Sequence, residues 1–185
     1  TKVIISTSLF GRSVDLKKLK SIASKNRLVL IEDAAQNFGS NIGHENACNI
    51  ADISCTSFFP TKNLGCFGDG GAIFTNNNKI AKKIKMLRNH GQKSYNKSNF
   101  IGLNSRIGSI QASILLEKVK DLNKKKIRHK NTYNRYSKFF SSKKISGFPE
   151  CRFSNNYYDD MNSQFSIIVR KRKLLIHYLN KYKVE

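Results

Sequence analysis

Lys62 is the residue of this sequence best placed to act as a nucleophile. It lies in the uncharged segment SFFPTKNLG (57–65), where aromatic and apolar neighbours surround a single basic side chain. Such surroundings partly desolvate the ammonium group and favour the neutral amine, which is the nucleophilic form. A lysine nucleophile reacts with a carbonyl group, either that of a substrate or that of pyridoxal phosphate. The ordinary alternative is a solvated surface lysine.

Two further residues would suit a pyridoxal phosphate site built around this lysine. Asp33 ends the apolar run LVLIED (28–33), and a carboxylate there could keep the pyridine nitrogen protonated, so that the ring accepts electrons. Ser57 precedes Lys62 in the chain and could donate its hydroxyl to the phosphate group. Each residue also has an ordinary alternative, since Asp33 could cap a helix and Ser57 could be a simple strand serine.

The elements that must position these residues begin with a β-α-β unit. Its predicted parts are a short buried strand at 3–8 (VIISTS), a helix from Asp15 to about Asn26 and a buried strand at 28–33. A strand, a helix and a parallel strand in this order imply a right-handed crossover. Because ligands bind beyond the carboxyl ends of strands in such sheets, Asp33 is expected at the ligand-binding edge.

The remaining sequence predicts more elements of the same α/β type. They are strands at 52–59, 72–75 and 163–169, helices at 77–89, about 109–142 and 171–182, a polar loop at 91–105 and a break at 146–149. The glycine-rich turn at 65–71 separates the first two of these strands, and its glycines would let the backbone turn tightly behind Lys62. The pattern indicates a main α/β layer, a long connecting helix and the beginning of a second α/β lobe.

The strong positive charge is the most conspicuous feature of the composition. The 185 residues carry 34 Lys and Arg against 12 Asp and Glu, a net charge of +22. Such a surplus could serve nucleic-acid binding, but the sequence holds neither arginine clusters interleaved with aromatic residues nor a recognition motif. The densest basic runs, at 79–85 and 124–130, lie on predicted helices with an apolar face. We therefore interpret the charge as lysine-rich helix surfaces and expect no nucleic-acid partner.

The cysteines and the absence of apolar runs bear on the compartment. The chain has four cysteines, Cys48, Cys55, Cys66 and Cys151, and they have no C-x-x-C spacing. We therefore expect reduced, mostly buried thiols and no zinc site. The sequence contains no run of about 18 apolar residues, so it predicts no membrane span. No signal peptide is visible either. We expect a cytoplasmic protein with no membrane partner. Because the sequence lacks an initiator Met and ends without a capping element, we also expect both ends to be cut from a longer chain.

Four segments resemble, in order and separation, the sugar-nucleotide aminotransferases of the DegT/DnrJ/EryC1/StrS family. They are EDAAQNFGS (32–40), CTSFFPTKNLGCFGDGGAIFTNN (55–77), RNHGQ (88–92) and GLNSRIGSIQASIL (102–115). The resemblance implies the fold of aspartate aminotransferase (fold type I), a mixed, mainly parallel sheet flanked by helices and here incomplete at both ends. In these terms the chain would divide into part of the large domain that binds pyridoxal phosphate (1–108), a long connecting helix (109–145) and the truncated start of the small C-terminal α/β domain (146–185).

The same resemblance implies roles for five residues. Lys62 matches the lysine that binds pyridoxal phosphate covalently and later moves a proton between the cofactor and the substrate. Asp33 matches the carboxylate on the pyridine nitrogen, Gln36 a contact on the hydroxyl side of the ring, and Ser57 a phosphate ligand. Asn104 matches an asparagine that reaches the cofactor phosphate of the partner subunit, which implies a homodimer.

Within the family, these segments look most similar to enzymes that aminate the 3-keto group of a UDP-linked N-acetylhexosamine uronic acid. The similarity implies a nucleotide-sugar substrate, glutamate as amino donor and a place in O-antigen or capsule biosynthesis. Three alternatives remain. One is a dehydratase on the same scaffold, which carries histidine in place of the lysine, so that Lys62 argues against it. The others are a truncated, inactive homologue and a basic nucleic-acid-binding module.

Overall fold

A four-stranded sheet forms the centre of the computed structural model, which describes residues 1–142 and 157–184. The described strands are β1 (Val3–Thr7), β2 (Val29–Asp33), β3 (Asn41–Ile42), β4 (Glu45–Asn46), β5 (Ile53–Ser57), β6 (Gly71–Phe74), β7 (Gln92–Ser94), β8 (Lys97–Ser98) and β9 (Tyr158–Asp159). The central sheet has the order β1-β2-β5-β6, in which β1, β2 and β5 are parallel and β6 is antiparallel to β5. The mixed, mainly parallel sheet expected from the sequence is therefore confirmed.

Helices flank this sheet. The described helices are α1 (Leu16–Lys25), α2 (Asn78–Leu87), α3 (Ser109–Lys118), α4 (Leu122–Ser142) and α5 (Arg172–Lys181). A 3-10 turn at Val119–Asp121 joins α3 to α4, so the long helix predicted at 109–142 is helical throughout but contains a tighter turn. Within the described residues, none of these helices is both long enough and apolar enough to cross a membrane.

The first core cluster holds the β1-α1-β2 unit together. Helix α1 begins after Asp15, whose Oδ1 accepts a hydrogen bond from the backbone N–H of Lys18 at 3.0 Å. This N–H group has no partner within the helix, so Asp15 caps the helix. Leu16 and Ala23 of α1 are fully buried against Leu30 of β2. Burying a leucine side chain contributes about 2 kcal/mol, so this contact fixes α1 to the sheet.

A second core cluster lies beneath the connection between β5 and β6. Phe58, Leu64 and Cys66 are buried there, and Leu115 of α3 and Leu122 of α4 pack against them. The cluster fastens residues 58–70, named the Lys62 loop from here on, to the junction of α3 and α4.

A buried carboxylate links β2 to β5 and to the segment before β5. Glu32 is fully buried, and its Oε2 accepts hydrogen bonds from the backbone N–H of Cys48 at 2.9 Å and from Ser54 Oγ at 3.0 Å. Burial, the charge of Glu32 and the neighbouring Cys55 together raise the pKa of the Cys48 thiol to about 12. Cys48 is therefore a protonated, unreactive thiol.

Part of the predicted secondary structure is wrong. Residues 163–169 were expected to form a strand, but no strand forms there. The backbone N–H of Gln164 donates instead to the carbonyl of Phe10 at 3.3 Å, and Phe165 stacks against Phe140 of α4 with 5.7 Å between ring centroids. The apolar side chain of Phe165 thus packs against a helix and not within a sheet. The predicted break at 146–149 and Cys151 lie outside the described residues.

The sequence analysis also did not predict two short β-hairpins. The hairpin of β3 and β4 turns at Gly43, which has a φ of +62°, and the predicted polar loop at 91–105 contains the hairpin of β7 and β8. These strands are two or three residues long, too short to carry a readable alternation.

The segment at 157–164 returns to the first part of the chain. Strand β9 pairs with β3, the N–H of Asn162 donates to the carbonyl of Gly11 at 3.1 Å, and the N–H of Met161 donates to Ser40 Oγ at 2.9 Å. Met161 is fully buried. The segment is thus attached to the turn after β1 and to the β3-β4 hairpin. The division into three parts drawn from the sequence stays a prediction.

Asp52 gives a pH-dependent contribution to stability. Burial raises its pKa, but the hydrogen bonds from the Lys20 ammonium and the Leu30 N–H (2.9 Å) outweigh this effect and hold the pKa below its ordinary value. The stabilisation is therefore complete above the ordinary aspartate pKa of about 4 and is lost as the pH falls through the lowered pKa. We expect Asp52→Asn to lower the free energy of unfolding at neutral pH by about 1 kcal/mol, allowing for solvent screening.

Urea unfolding between neutral pH and about pH 3 measures this difference, which should shrink as the pH falls. Asp121→Asn is the matched control. Asp121 pairs with Lys124 on the surface of the protein, and its hydrogen bond from that lysine also lowers its pKa. Because the pair is exposed to solvent, we expect no measurable loss of stability. A loss at Asp52 that did not change with pH would contradict the account.

Candidate active site at the carboxyl ends of the parallel strands

Three of the residues singled out in the sequence lie at the carboxyl edge of the parallel strands. Asp33 is the last residue of β2 and Ser57 the last residue of β5, and the register of the two strands pairs Asp33 with Cys55. Lys62 follows in the loop that leads from β5 to β6. In open α/β sheets this edge is where ligands bind.

The carboxylate of Asp33 is only partly used by the protein. It is half-buried, and its Oδ1 accepts a hydrogen bond from the backbone N–H of Ala35 at 3.0 Å. Among the described residues no group donates to its other oxygen. One carboxylate oxygen is thus available for a cationic or N–H group of a ligand.

The hydroxyl of Ser57 is oriented by its own chain. Its Oγ accepts a hydrogen bond from the N–H of Phe59 at 3.2 Å. Because that contact uses an oxygen lone pair, the hydroxyl hydrogen can be donated elsewhere. A half-buried serine in this state suits an anionic ligand such as a phosphate.

Gln36 connects the site to two other segments. Its side-chain Oε1 accepts from the N–H of Phe10 at 2.7 Å, which leaves its Nε2 group as a donor. Its backbone carbonyl accepts from Asn63 Nδ2 at 2.8 Å and from Ser163 Oγ at 3.2 Å. Gln36 therefore lies between the turn after β1, the Lys62 loop and the segment at 157–164.

The Lys62 loop is closed by its own backbone hydrogen bonds. The N–H of Phe58 donates to the carbonyl of Gly70 at 2.7 Å, that of Cys66 to Phe58 at 2.8 Å and that of Lys62 to Phe59 at 2.9 Å. Among the described residues, the Lys62 side chain has no hydrogen bond and no ion pair. The loop thus fixes the backbone of Lys62 and leaves its amine available.

Asn63 is a contributor that the sequence interpretation missed. Its side chain is 6% exposed, and its Nδ2 donates to the carbonyls of Gln36 (2.8 Å) and Phe38 (3.2 Å). It thereby joins the loop after β2 to the Lys62 loop. The sequence could have indicated Asn63 through its position directly after Lys62, in a segment that resembles a family motif.

Gly65 lets the Lys62 loop fold back on itself. A Cβ atom at this position would lie 2.5 Å from the carbonyl oxygen of Pro60 and 2.7 Å from that of Phe59. Since both neighbours are backbone atoms, the loop would have to shift. We expect Gly65→Ala to lower the free energy of unfolding by about 2 kcal/mol, as measured by urea unfolding.

Gly68→Ala is the matched control for this prediction. A Cβ at Gly68 would meet nothing closer than Gln111 Nε2 at 3.6 Å, an ordinary contact. We expect this variant to keep the stability of the parent protein to within about 0.5 kcal/mol. Equal losses for the two variants would show that close approach at Gly65 is not the cause.

Asn104 belongs to a different segment from the other four predicted residues. It forms an isolated antiparallel bridge with Asn89, and the neighbouring Leu103 N–H donates to the carbonyl of Leu87 at 2.8 Å. The Arg106 guanidinium donates to Asn89 Oδ1 and holds the same turn. Asn104 is exposed, and within the described residues no hydrogen bond joins it to Asp33, Gln36, Ser57 or Lys62.

Comparison with known proteins decides which family this site belongs to. The sequence model of the DegT/DnrJ/EryC1/StrS aminotransferase family matches residues 1–185. The chain belongs to this family. The expectation drawn from the four sequence segments is thereby confirmed.

Individual members of the DegT/DnrJ/EryC1/StrS family extend the comparison. UDP-2-acetamido-2-deoxy-3-oxo-D-glucuronate aminotransferase from Pseudomonas aeruginosa is 47% identical over 119 residues, which are 64% of this chain and 33% of that protein. A family aminotransferase from Brucella abortus superposes with a TM-score of 0.90 at 32% identity, covering 98% of this chain and 48% of the other. The chain therefore spans about a third to a half of the length of these relatives.

A third relative was solved with a cofactor. The ntda protein of Bacillus subtilis with bound cofactor PMP superposes with a TM-score of 0.81 at 31% identity, covering 98% of this chain and 42% of the other. Together with the Brucella abortus structure, it confirms the fold of a pyridoxal phosphate aminotransferase for this family member.

The residues at the carboxyl edge fit such a cofactor. A pyridoxal phosphate site needs an acidic group for the pyridine nitrogen, hydroxyl donors for the phosphate and a lysine amine. This family member offers a free oxygen on Asp33, a free hydroxyl hydrogen on Ser57 and an unpaired amine on Lys62. Among the described residues, no group of three His, Cys, Asp or Glu side chains is arranged to hold a metal ion.

Proposed function

We propose that the protein is a pyridoxal phosphate-dependent aminotransferase that transfers an amino group to a keto group of a nucleotide-linked sugar. The observation that carries the proposal is the placement of Asp33, Ser57 and Lys62 at one edge of the sheet, each with a free functional atom. The family membership of the whole chain supports it. Because the chain spans only part of its relatives, the proposal concerns the whole protein.

Each proposed site residue has a separate task. The bound cofactor supplies an electron sink for the substrate carbon. The Lys62 amine would hold the cofactor covalently and, when free, would carry a proton to or from the reacting carbon. The free oxygen of Asp33 would hold a positive charge on the pyridine nitrogen, and Ser57 would donate to the phosphate. Gln36 has its Nε2 left to donate on the hydroxyl side of the ring.

The proposed acceptor is a UDP-linked 3-keto N-acetylhexosamine uronic acid, and the proposed donor is glutamate. The name of the relative from Pseudomonas aeruginosa, which is 47% identical over 119 residues, supports a UDP-linked 3-oxo sugar. The net charge of +22 of the whole chain would favour the approach of an anionic nucleotide sugar. Amination of such a sugar for O-antigen or capsule biosynthesis is the corresponding cellular role.

A homodimer in which Asn104 serves the partner's site is part of the proposal. Asn104 is exposed, and apolar side chains near it in the sequence are exposed as well: Ile101 is 100% exposed, Leu103 71% and Ile110 76%. Large apolar side chains that are this exposed are expected on a surface that another protein surface covers. A cytoplasmic location completes the proposal, supported by the free thiols of Cys48, Cys55 and Cys66.

The test is amino transfer by the full-length protein. It would be incubated with pyridoxal phosphate, glutamate and either a UDP-linked or a dTDP-linked 3-keto sugar, and the amino sugar would be measured by mass spectrometry. We expect product from the UDP-linked uronic acid. Product from the dTDP-linked sugar alone would overturn the choice of substrate. Absence of product from every keto sugar and donor tried would overturn the proposed function.

A further inference from the structure

We infer that Lys125 of α4 is a positioning residue for Lys62, whose backbone it holds in place through two carbonyl groups. The inference rests on the proposed function, because it assigns the held backbone to the reactive lysine. Lys125 Nζ donates to the carbonyl oxygen of Lys62 at 3.1 Å and to that of Asn63 at 2.9 Å. It thus connects α4 to the Lys62 loop across more than sixty residues of sequence.

The environment of Lys125 differs from that of its neighbours on α4. Lys124 pairs with Asp121 on the surface, and Lys126 pairs with Asp159 at 2.6 Å. Within the described residues, Lys125 has no carboxylate partner. Its ammonium group is instead directed at the two loop carbonyls, which occupy two of its three N–H donors.

The charge of Lys125 is costly at this position. Burial lowers its pKa, and the positive charges of Lys118 and Arg128 lower it further. A lysine on an exposed helix face could turn its ammonium group to water. Here the two carbonyls compensate for the lost hydration, so the strength of both hydrogen bonds is tied to the ammonium charge.

The two contacts complete a set that surrounds Lys62. Its own N–H donates to Phe59, its carbonyl accepts from Lys125, and the next residue, Asn63, is anchored through its side chain to Gln36. With its Cα fixed from both sides, the Lys62 amine can reach only a limited volume. Such preorganisation raises the fraction of time that a reactive group spends in the productive geometry.

The test compares Lys125→Met, Lys125→Arg and the matched control Lys124→Met in the full-length protein. Lys124→Met removes the same charge from the adjacent, exposed position. Amide hydrogen exchange would be followed in the cofactor-free protein over residues 59–66 and 29–33. The rate of covalent attachment of pyridoxal phosphate to Lys62 would be followed by borohydride trapping and peptide mass spectrometry.

We expect Lys125→Met to accelerate exchange at 59–66 about tenfold, with 29–33 unchanged, and to slow attachment at Lys62 about tenfold. Lys125→Arg, which keeps the charge and the donors, should restore both to within a few-fold. Lys124→Met should behave like the parent protein. If Lys125→Met does not fold, the same comparison with Lys125→Gln decides the matter.

Two results would overturn the inference. One is exchange and attachment in Lys125→Met equal to those in Lys124→Met. The other is a rise in exchange that is as large at 29–33 as at 59–66, because Lys125 would then stabilise the protein in general. If the parent protein attaches no pyridoxal phosphate at Lys62, the proposed function fails, and the exchange at 59–66 alone decides whether Lys125 holds the loop.

Discussion

Replacing Lys62 by alanine is expected to lower kcat for amino transfer by about a thousandfold or more. The variant loses both the nucleophile and the group that moves a proton at the reacting carbon. The Lys62 loop should remain intact, because residue 62 contributes to the hydrogen bonds of the loop through its backbone. The Lys62 side chain has no hydrogen bond among the described residues. The measurement is the rate of amino-sugar formation at saturating substrate, together with the thermal midpoint of unfolding.

Lys82→Ala is the matched control for that experiment. Lys82 is exposed on α2 and also contributes one of the many positive charges of the surface. Its replacement should leave kcat and the thermal midpoint unchanged. A Lys62→Ala variant that keeps more than about a tenth of the parent kcat would contradict the assignment of Lys62 as the reactive lysine.

Replacing Asp33 by asparagine is expected to lower kcat by about a hundredfold or more. The side chain keeps its shape and an oxygen that can accept from the Ala35 N–H, as Asp33 Oδ1 does at 3.0 Å. It loses the negative charge that would hold a proton on the pyridine nitrogen. The expected effect is therefore larger on kcat than on the affinity for the cofactor, which a titration with pyridoxal phosphate measures separately.

Asp69→Asn provides the control for the loss of one negative charge. Asp69 is exposed in the Lys62 loop, beyond the part that carries the reactive lysine. Its replacement should leave kcat within about twofold of the parent value. Equal effects at Asp33 and Asp69 would indicate a general electrostatic effect and would contradict the specific role of Asp33.

Much of the fold could be predicted because local patterns dominate it. The apolar run at 28–33 and the periodicity after Asp15 predicted β2 and α1 to within a residue or two. The wrong strand at 163–169 shows where such patterns fail. Its aromatic side chain is held by rings of α4, a contact between distant segments that alternation cannot reveal.

The candidate site could be predicted only in part. Asp33, Ser57 and Lys62 were identified by residue type and by the elements that precede them, and the structure places them at one edge. The contacts of Lys125 could not have been identified, since a lysine within a basic run of a helix looks like a solvated surface residue. Its significance depends on the carbonyls that the Lys62 loop presents to α4, which only the tertiary structure brings together.

The buried carboxylate of Glu32 illustrates a further limit. In the sequence, Glu32 and Asp33 are adjacent carboxylates at the end of one strand. In the structure their side chains point to opposite faces of the sheet. Glu32 is fully buried and accepts hydrogen bonds from Cys48 and Ser54, whereas Asp33 is half-buried and has a free carboxylate oxygen. Strand alternation explains the difference; the sequence pointed to Asp33 but did not show that Glu32 would accept hydrogen bonds from Cys48 and Ser54.

The most direct test of the central claim is the site of covalent attachment of pyridoxal phosphate. The full-length protein would be incubated with pyridoxal phosphate, reduced with borohydride and digested, and the modified peptide would be identified by mass spectrometry. We predict that Lys62 carries nearly all of the added mass and that the modification is lost in Lys62→Ala. Modification spread evenly over the surface lysines, with Lys62 no more modified than Lys82, would contradict the account.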